Sequence, residues 1–120
     1  MQIDSSTFLN YLIIFLELFS AFAIGAMIGS FLNVLIYRLP RKESILWPPS
    51  HCPNCNTRIK WYENIPILSY ILLKGKCSNC EKNIALRYPI VEILSGIIAL
   101  LITFLLFTKL WDTIFILPIK

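Results

Sequence analysis

The sequence predicts an α-helical integral membrane protein, with two transmembrane helices joined by a small polar loop. Three observations carry that expectation. Two long apolar blocks bracket a polar middle, the middle holds nine of the eleven basic residues, and all four cysteines lie in it as two matched pairs. The chain is 57% hydrophobic, well above the roughly 45–50% of an ordinary soluble domain.

The first block, residues 8–37, has Glu17 as its one ionisable group apart from tyrosine. A hydrocarbon core of about 30 Å needs about 20 apolar residues of helix, so this block exceeds the requirement. The preceding "MQIDSST" contains an acid and no Lys or Arg, and the apolar run is too long for the core of a secretory signal. A retained membrane helix is therefore expected, a buried soluble helix being the alternative. The second helix is expected over 90–109; its apolar core, 90–107, contains only Glu92 and is just long enough. Residues 110–120 form a tail ending about where a third membrane helix would begin.

The loop, 38–89, carries Arg38, Arg41, Lys42, Arg58, Lys60, Lys74, Lys76, Lys82 and Arg87 against Glu43, Glu63 and Glu81. Outside it the basic side chains are only Lys109 and Lys120. The positive-inside rule then puts the loop in the cytoplasm and both termini outside, with Tyr37, Tyr88 and Trp111 as interfacial aromatics. Such a loop favours anionic lipid headgroups. Nucleic acid is not an expected partner, because no nucleic-acid motif accompanies the charge.

Cys52, Cys55, Cys77 and Cys80 read C-x2-C-x21-C-x2-C, and "CPNCNTRI" and "CSNCEKNI" are near repeats. Two such knuckles aim four thiolates at one ion, with Pro53, Asn54 and Asn79 suited to the turns. Four thiolates favour structural, tetrahedral Zn²⁺. Iron in the same geometry and a pair of disulfides are the alternatives, the latter disfavoured in a reducing cytoplasm. His51 abuts the first knuckle but is surplus to a full shell. A loop this small needs such a staple, and a closed shell has no open position for catalysis. The loop is thus expected to be zinc-ribbon-like. Between the knuckles, "RIKWYENIPILSYILLKGK" suggests short strands around a Lys74-Gly75-Lys76 turn, with Pro66 at an edge or a break. Trp61, Ile65, Ile67, Leu68 and Ile71 are expected against the metal site or at the membrane surface.

Both helices carry stripes. Glu17, Ala21, Gly25, Gly29 and Asn33 recur every four residues, and Glu92, Gly96, Ala99 and Thr103 follow steps of four, three and four. Small residues in such register permit close helix approach, between the two helices or with helices supplied by a partner. Intramembrane carboxylates are functional candidates; for Glu92 an ion pair with Arg87 or Arg38 is the structural alternative.

Taken in order, "GSFLNVLIYRLP", "CPNC", "WYENIPILSY", "KGKCSNC" and "RYPIVEILSG" resemble the amino-terminal part of bacterial type IV prepilin leader peptidases. The resemblance runs from about Gly25 to Gly96. It implies an inner-membrane enzyme of type IV pilus and type II secretion systems. Such enzymes are aspartic endopeptidases that cut prepilins, and N-methyltransferases that use S-adenosylmethionine. The two peptidase aspartates of that family lie in later membrane helices. Here the aspartates are Asp4 and Asp112, neither in the family's motif. The peptidase half is therefore expected to be missing, and any activity of this chain alone to be methyl transfer. A non-catalytic membrane scaffold that docks a separate catalytic subunit is the alternative. No glycine-rich cofactor turn is visible, so methyl transfer rests on the resemblance. The candidate residues for it are Asn33, Arg38, Glu63, Asn64, Lys76, Arg87 and Glu92, with helix packing or headgroup contact as the competing role for each.

Overall fold

A computed structural model describes residues 4–116, with side chains described from 4 to 110. The side chains of Trp111 and Asp112 and the terminal Lys120 lie outside the described residues. Helix α1 (Ser5–Arg38) and helix α3 (Arg87–Ile116) form an antiparallel pair, and a short helix α2 (Leu68–Leu72) lies in the loop between them. Asp4, in extended conformation, precedes α1. Pro40 has no N–H and cannot continue the helix, so α1 tightens into a 3₁₀ turn, Leu39–Arg41. Left-handed Lys42 (φ 55°) then reverses the chain.

The segments Ser5–Arg41 and Arg87–Leu110 are long and apolar enough to cross a membrane. Their large side chains point outward: Phe15 is 63% exposed and Leu106 63%. The buried face of α1 is instead Gly25, Ala26, Gly29, Asn33 and Arg38. A Cβ on Gly25 would lie 2.6 Å from both the Ser95 carbonyl and the Ala99 Cβ. One on Gly29 would lie 2.8 Å from the Glu92 Cα. The two stripes therefore pack on each other, backbone against backbone, and the expected small-residue seam is the seam observed.

The loop departs from its expected strands. Among the described residues it has none, only isolated antiparallel bridges, His51 with Arg58 and Lys76 with Asn83. Between the knuckles lie a 3₁₀ turn, Trp61–Asn64, and α2. β-Propensity reflects packing on a pleated neighbour rather than an intrinsic backbone bias, and here no neighbouring strand is available. Local bonds take over: the Glu63 carboxylate accepts from the Lys60 N–H at 3.0 Å, and the Ser69 hydroxyl donates to the Ile65 carbonyl at 2.7 Å. The turn after α2 does form, with Lys74 and Gly75 both left-handed.

Candidate metal centre and the joints that hold its loop

Each knuckle repeats one backbone pattern. In the first, the Cys52 N–H donates to Thr57 O at 3.0 Å, Asn56 N–H to Cys52 O at 2.9 Å and Ile59 N–H to Ser50 O at 2.9 Å. In the second, Cys77 N–H donates to Lys82 O at 2.9 Å, Glu81 N–H to Cys77 O at 3.0 Å and Ile84 N–H to Gly75 O at 2.7 Å. Counted from the leading cysteine, donors and acceptors match position for position. So do the left-handed residues Asn56 and Glu81, both at φ 57°.

These turns bring the four Sγ atoms within 4.8 Å of one another. Cys52 and Cys80 approach to 3.8 Å, and Cys55 and Cys77 to 3.9 Å. An ion bound tetrahedrally at a Zn–S length of about 2.3 Å spaces its sulfurs by about 3.8 Å. The donor set therefore fits one metal ion such as zinc. The cysteines are free thiols.

The surroundings favour thiolates at two of the four. The Thr57 hydroxyl, followed by its amide and Asn79, pulls the Cys55 thiol down to about 6. The amides of Cys80 and Asn79 lower Cys77. At Cys52 the amides of Cys55 and Asn54 act the same way, but burial and the neighbouring Cys77 and Cys55 thiols outweigh them and raise it. The knuckles are also laced across. Asn54 Nδ2 lies 3.5 Å from Cys80 Sγ, Asn79 Nδ2 donates to Thr57 Oγ1 at 2.9 Å, and Lys82 Nζ to Asn54 Oδ1 at 3.1 Å. His51 is exposed, with Nδ1 3.2 Å from the Pro49 carbonyl, and stays outside the sulfur cluster.

Three buried polar side chains join the loop to the helices. Asn33, 3% exposed, donates to the Tyr88 carbonyl at 3.1 Å and ties the end of α1 to the start of α3. The Arg38 guanidinium donates to three carbonyls, Ser44 at 2.8 Å, Ile45 at 3.2 Å and Pro48 at 2.6 Å. Glu92 accepts from the Ile67 N–H at 2.7 Å. Ile67 sits at φ 64°, ψ −50°, and the Leu68 N–H closes on the Pro66 carbonyl at 2.6 Å. That is a γ-turn of the rare, strained hand, on a β-branched residue that avoids positive φ.

The stretch that holds the helix seam, the joints and both knuckles is also the stretch that matches a known family. The model of the bacterial peptidase A24 N-terminal domain matches residues 23–106.

The chain belongs to that family.

Similar curated proteins include the prepilin leader peptidase/N-methyltransferase of Myxococcus xanthus, 48% identical over 77 residues, which is 64% of this chain and 23% of that protein. That of Vibrio cholerae is 47% identical over 94 residues, 72% of this chain and 36% of that protein. That of Dickeya chrysanthemi is 39% identical over 112 residues, 74% of this chain and 38% of that protein. The chain thus spans well under half the length of each of these relatives. No solved structure matches.

Within this A24 N-terminal domain the residues singled out from the sequence separate into groups. The four cysteines converge. Asn33, Arg38 and Glu92 are buried and hold backbone atoms, and the suggested ion pair of Glu92 with Arg87 or Arg38 is absent. Arg38 is taken up by its three carbonyls, and Arg87 stacks on Tyr88 and Tyr37, 4.8 and 5.8 Å from their centroids. Glu63 caps a 3₁₀ turn, and its carboxyl is held below the usual range by the Lys60 amide and then by Ser78. Asn64 and Lys76 are exposed, so the seven candidates do not form one cluster. Glu17 lines an open groove of about 470 Å³ with Ser20, Ala21, Ile24, Ala99, Ile102 and Thr103. Sequence reasoning missed the Arg38 collar and the Ile67 turn. The only signals were an arginine at a helix end and a proline before an isoleucine, both of which are commonplace.

Proposed function

We propose that the chain is the metal-folded membrane portion of a prepilin leader peptidase/N-methyltransferase. In this reading α1 and α3 cross the bacterial inner membrane and the cysteine loop faces the cytoplasm, where the basic residues concentrate. Cys52, Cys55, Cys77 and Cys80 hold one structural Zn²⁺, which folds the loop and leaves no open coordination position. Substrates would be prepilins or their cut products, and any methyl transfer would use S-adenosylmethionine. The observation that carries the proposal is the family match over 23–106, which spans the helix seam, both knuckles and every joint.

The test is transfer of labelled methyl groups from S-adenosylmethionine to a processed pilin peptide by purified chain. Transfer that disappears when Arg87→Ala or Asn64→Ala is introduced, with metal retained, supports an enzymatic role. A scaffold that docks a catalytic partner is the second reading. It is favoured by Asn33, Arg38 and Glu92 being occupied with backbone atoms rather than presented to a substrate. That reading expects no transfer by the chain alone and transfer on mixing with a catalytic partner. The peptidase acids lie outside both readings of this chain, so cleavage of prepilin by it alone is not expected.

A further inference from the structure

The junction of the two helices gathers two arginines on two tyrosines. Tyr37 lies in the last turn of α1, Arg41 ends the 3₁₀ turn beyond it, and Arg87 and Tyr88 open α3. The Arg41 guanidinium carbon sits 4.0 Å from the Tyr37 ring centroid. Arg87 approaches the same ring at 5.8 Å and the Tyr88 ring at 4.8 Å. Each guanidinium has one hydrogen bond here: Arg41 to the Tyr37 carbonyl at 2.7 Å, Arg87 to the Tyr88 hydroxyl at 3.1 Å. A guanidinium has five N–H donors, so most of the donors in the pair are unused. Both side chains are exposed, and among the described residues neither has a carboxylate partner.

Two permanently charged, planar forks are thus held in place by aromatic faces without a counter-ion. Arginine forks match phosphate oxygens bidentately. The cluster also lies where two membrane-length helices end, next in sequence to the exposed apolar side chains of Ile36, Leu39 and Ile90. That is the depth at which lipid phosphates sit and interfacial tyrosines are found. We propose that Arg41, Arg87, Tyr37 and Tyr88 form a binding site for the phosphate of an anionic phospholipid headgroup. The site rests on the helices lying in a membrane, and not on prepilin processing.

Native mass spectrometry of the full chain in detergent tests this, with phosphatidylglycerol and phosphatidylcholine offered in equal amounts. The expected result is retention of phosphatidylglycerol over phosphatidylcholine by about thirtyfold, the order expected when each of the two arginines gains roughly 1 kcal/mol at an anionic surface. Arg41→Gln with Arg87→Gln should remove the preference, while Lys60→Gln with Lys82→Gln, of equal charge change, should keep it. Metal content of each variant reports folding. If the double glutamine variant loses its metal, Arg41→Lys with Arg87→Lys replaces it, and a weakened preference is then expected because the fork is lost and the charge kept. Equal retention of the two lipids overturns the proposal, and so does a preference that survives in the arginine variants. Displacement of the lipid by millimolar inorganic phosphate would overturn the headgroup assignment in favour of a soluble phosphate. Recovery of the chain in the membrane fraction, released only by detergent, checks the membrane placement separately.

Discussion

Cys55 and Cys77 are lowered by their nearest donors, Thr57 and Asn79 for one and the Cys80 and Asn79 amides for the other, whereas burial and the neighbouring thiols raise Cys52 in spite of its own amide donors. Replacing Cys77 with Ser removes one of four thiolates, and purified protein should then fall from about one metal per chain to near none by elemental analysis. Glu63 offers a second measurement. Its folded carboxyl titrates below the ordinary 4.5, so its contribution is complete above that value and is lost as pH falls through the lower folded value. The stability gap between wild type and Glu63→Ala should be about 0.5–1 kcal/mol at pH 7, as for a cap, and should shrink as pH falls below 4.5 and on through the lower folded value. Denaturant melts followed by Trp fluorescence would measure it. Ile67 is the other informative residue. A glycine there accepts the positive φ without strain, so Ile67→Gly should change stability by less than about 1 kcal/mol in spite of the lost side chain. Glu92→Ala, which strands the Ile67 amide, should speed its hydrogen exchange markedly.

The helix seam depends on three glycines that meet backbone or ring atoms. A side chain at Gly25 would collide with the Ser95 carbonyl at 2.6 Å, and one at Gly96 with the Phe22 ring at 2.6 Å. Gly25→Leu should therefore lower stability in detergent by about 1–3 kcal/mol or more, the range for overpacking. Met27→Leu, on the exposed face, should leave it within about 0.5 kcal/mol. Light-scattering thermal melts separate the two. Close helix approach was legible beforehand because small residues at a period of four let another helix's backbone come near, but whether that helix was this chain's own was a tertiary fact. The short helices in the loop were not legible. Val, Ile and aromatic content suggests strands only when a neighbouring strand exists, and that is a tertiary fact. The γ-turn at Ile67 was equally hidden, because nothing in "NIPILSY" announces that a carboxylate 25 residues later will hold it.

Across the whole molecule, the two helices are joined at one end to each other and to two stretches of the loop, 44–48 and Ile67. Asn33, Arg38 and Glu92 lie within the last turns of α1 and the first turns of α3, and each is nearly inaccessible. Their burial explains why they stand out as polar motif residues in the sequence, where a role in chemistry and a role in construction look alike. The repeat of the knuckles was readable from spacing, because metal ligation fixes spacing. The Arg38 collar was not, because carbonyl acceptors leave no mark in a sequence.

That collar has a consequence for how the loop comes apart. Thiolate ligation is sensitive to acid, oxidant and chelator, whereas a guanidinium cannot lose its proton in a protein. The loop thus has two fasteners that respond to different insults. Stripping the ion with a strong chelator should raise hydrogen exchange at the bonded knuckle amides of Cys52, Asn56, Cys77 and Glu81, while the Arg38 guanidinium protons stay slowed by the Ser44, Ile45 and Pro48 carbonyls. The domain would then lose its shape in stages, with the segment nearest the helices released last.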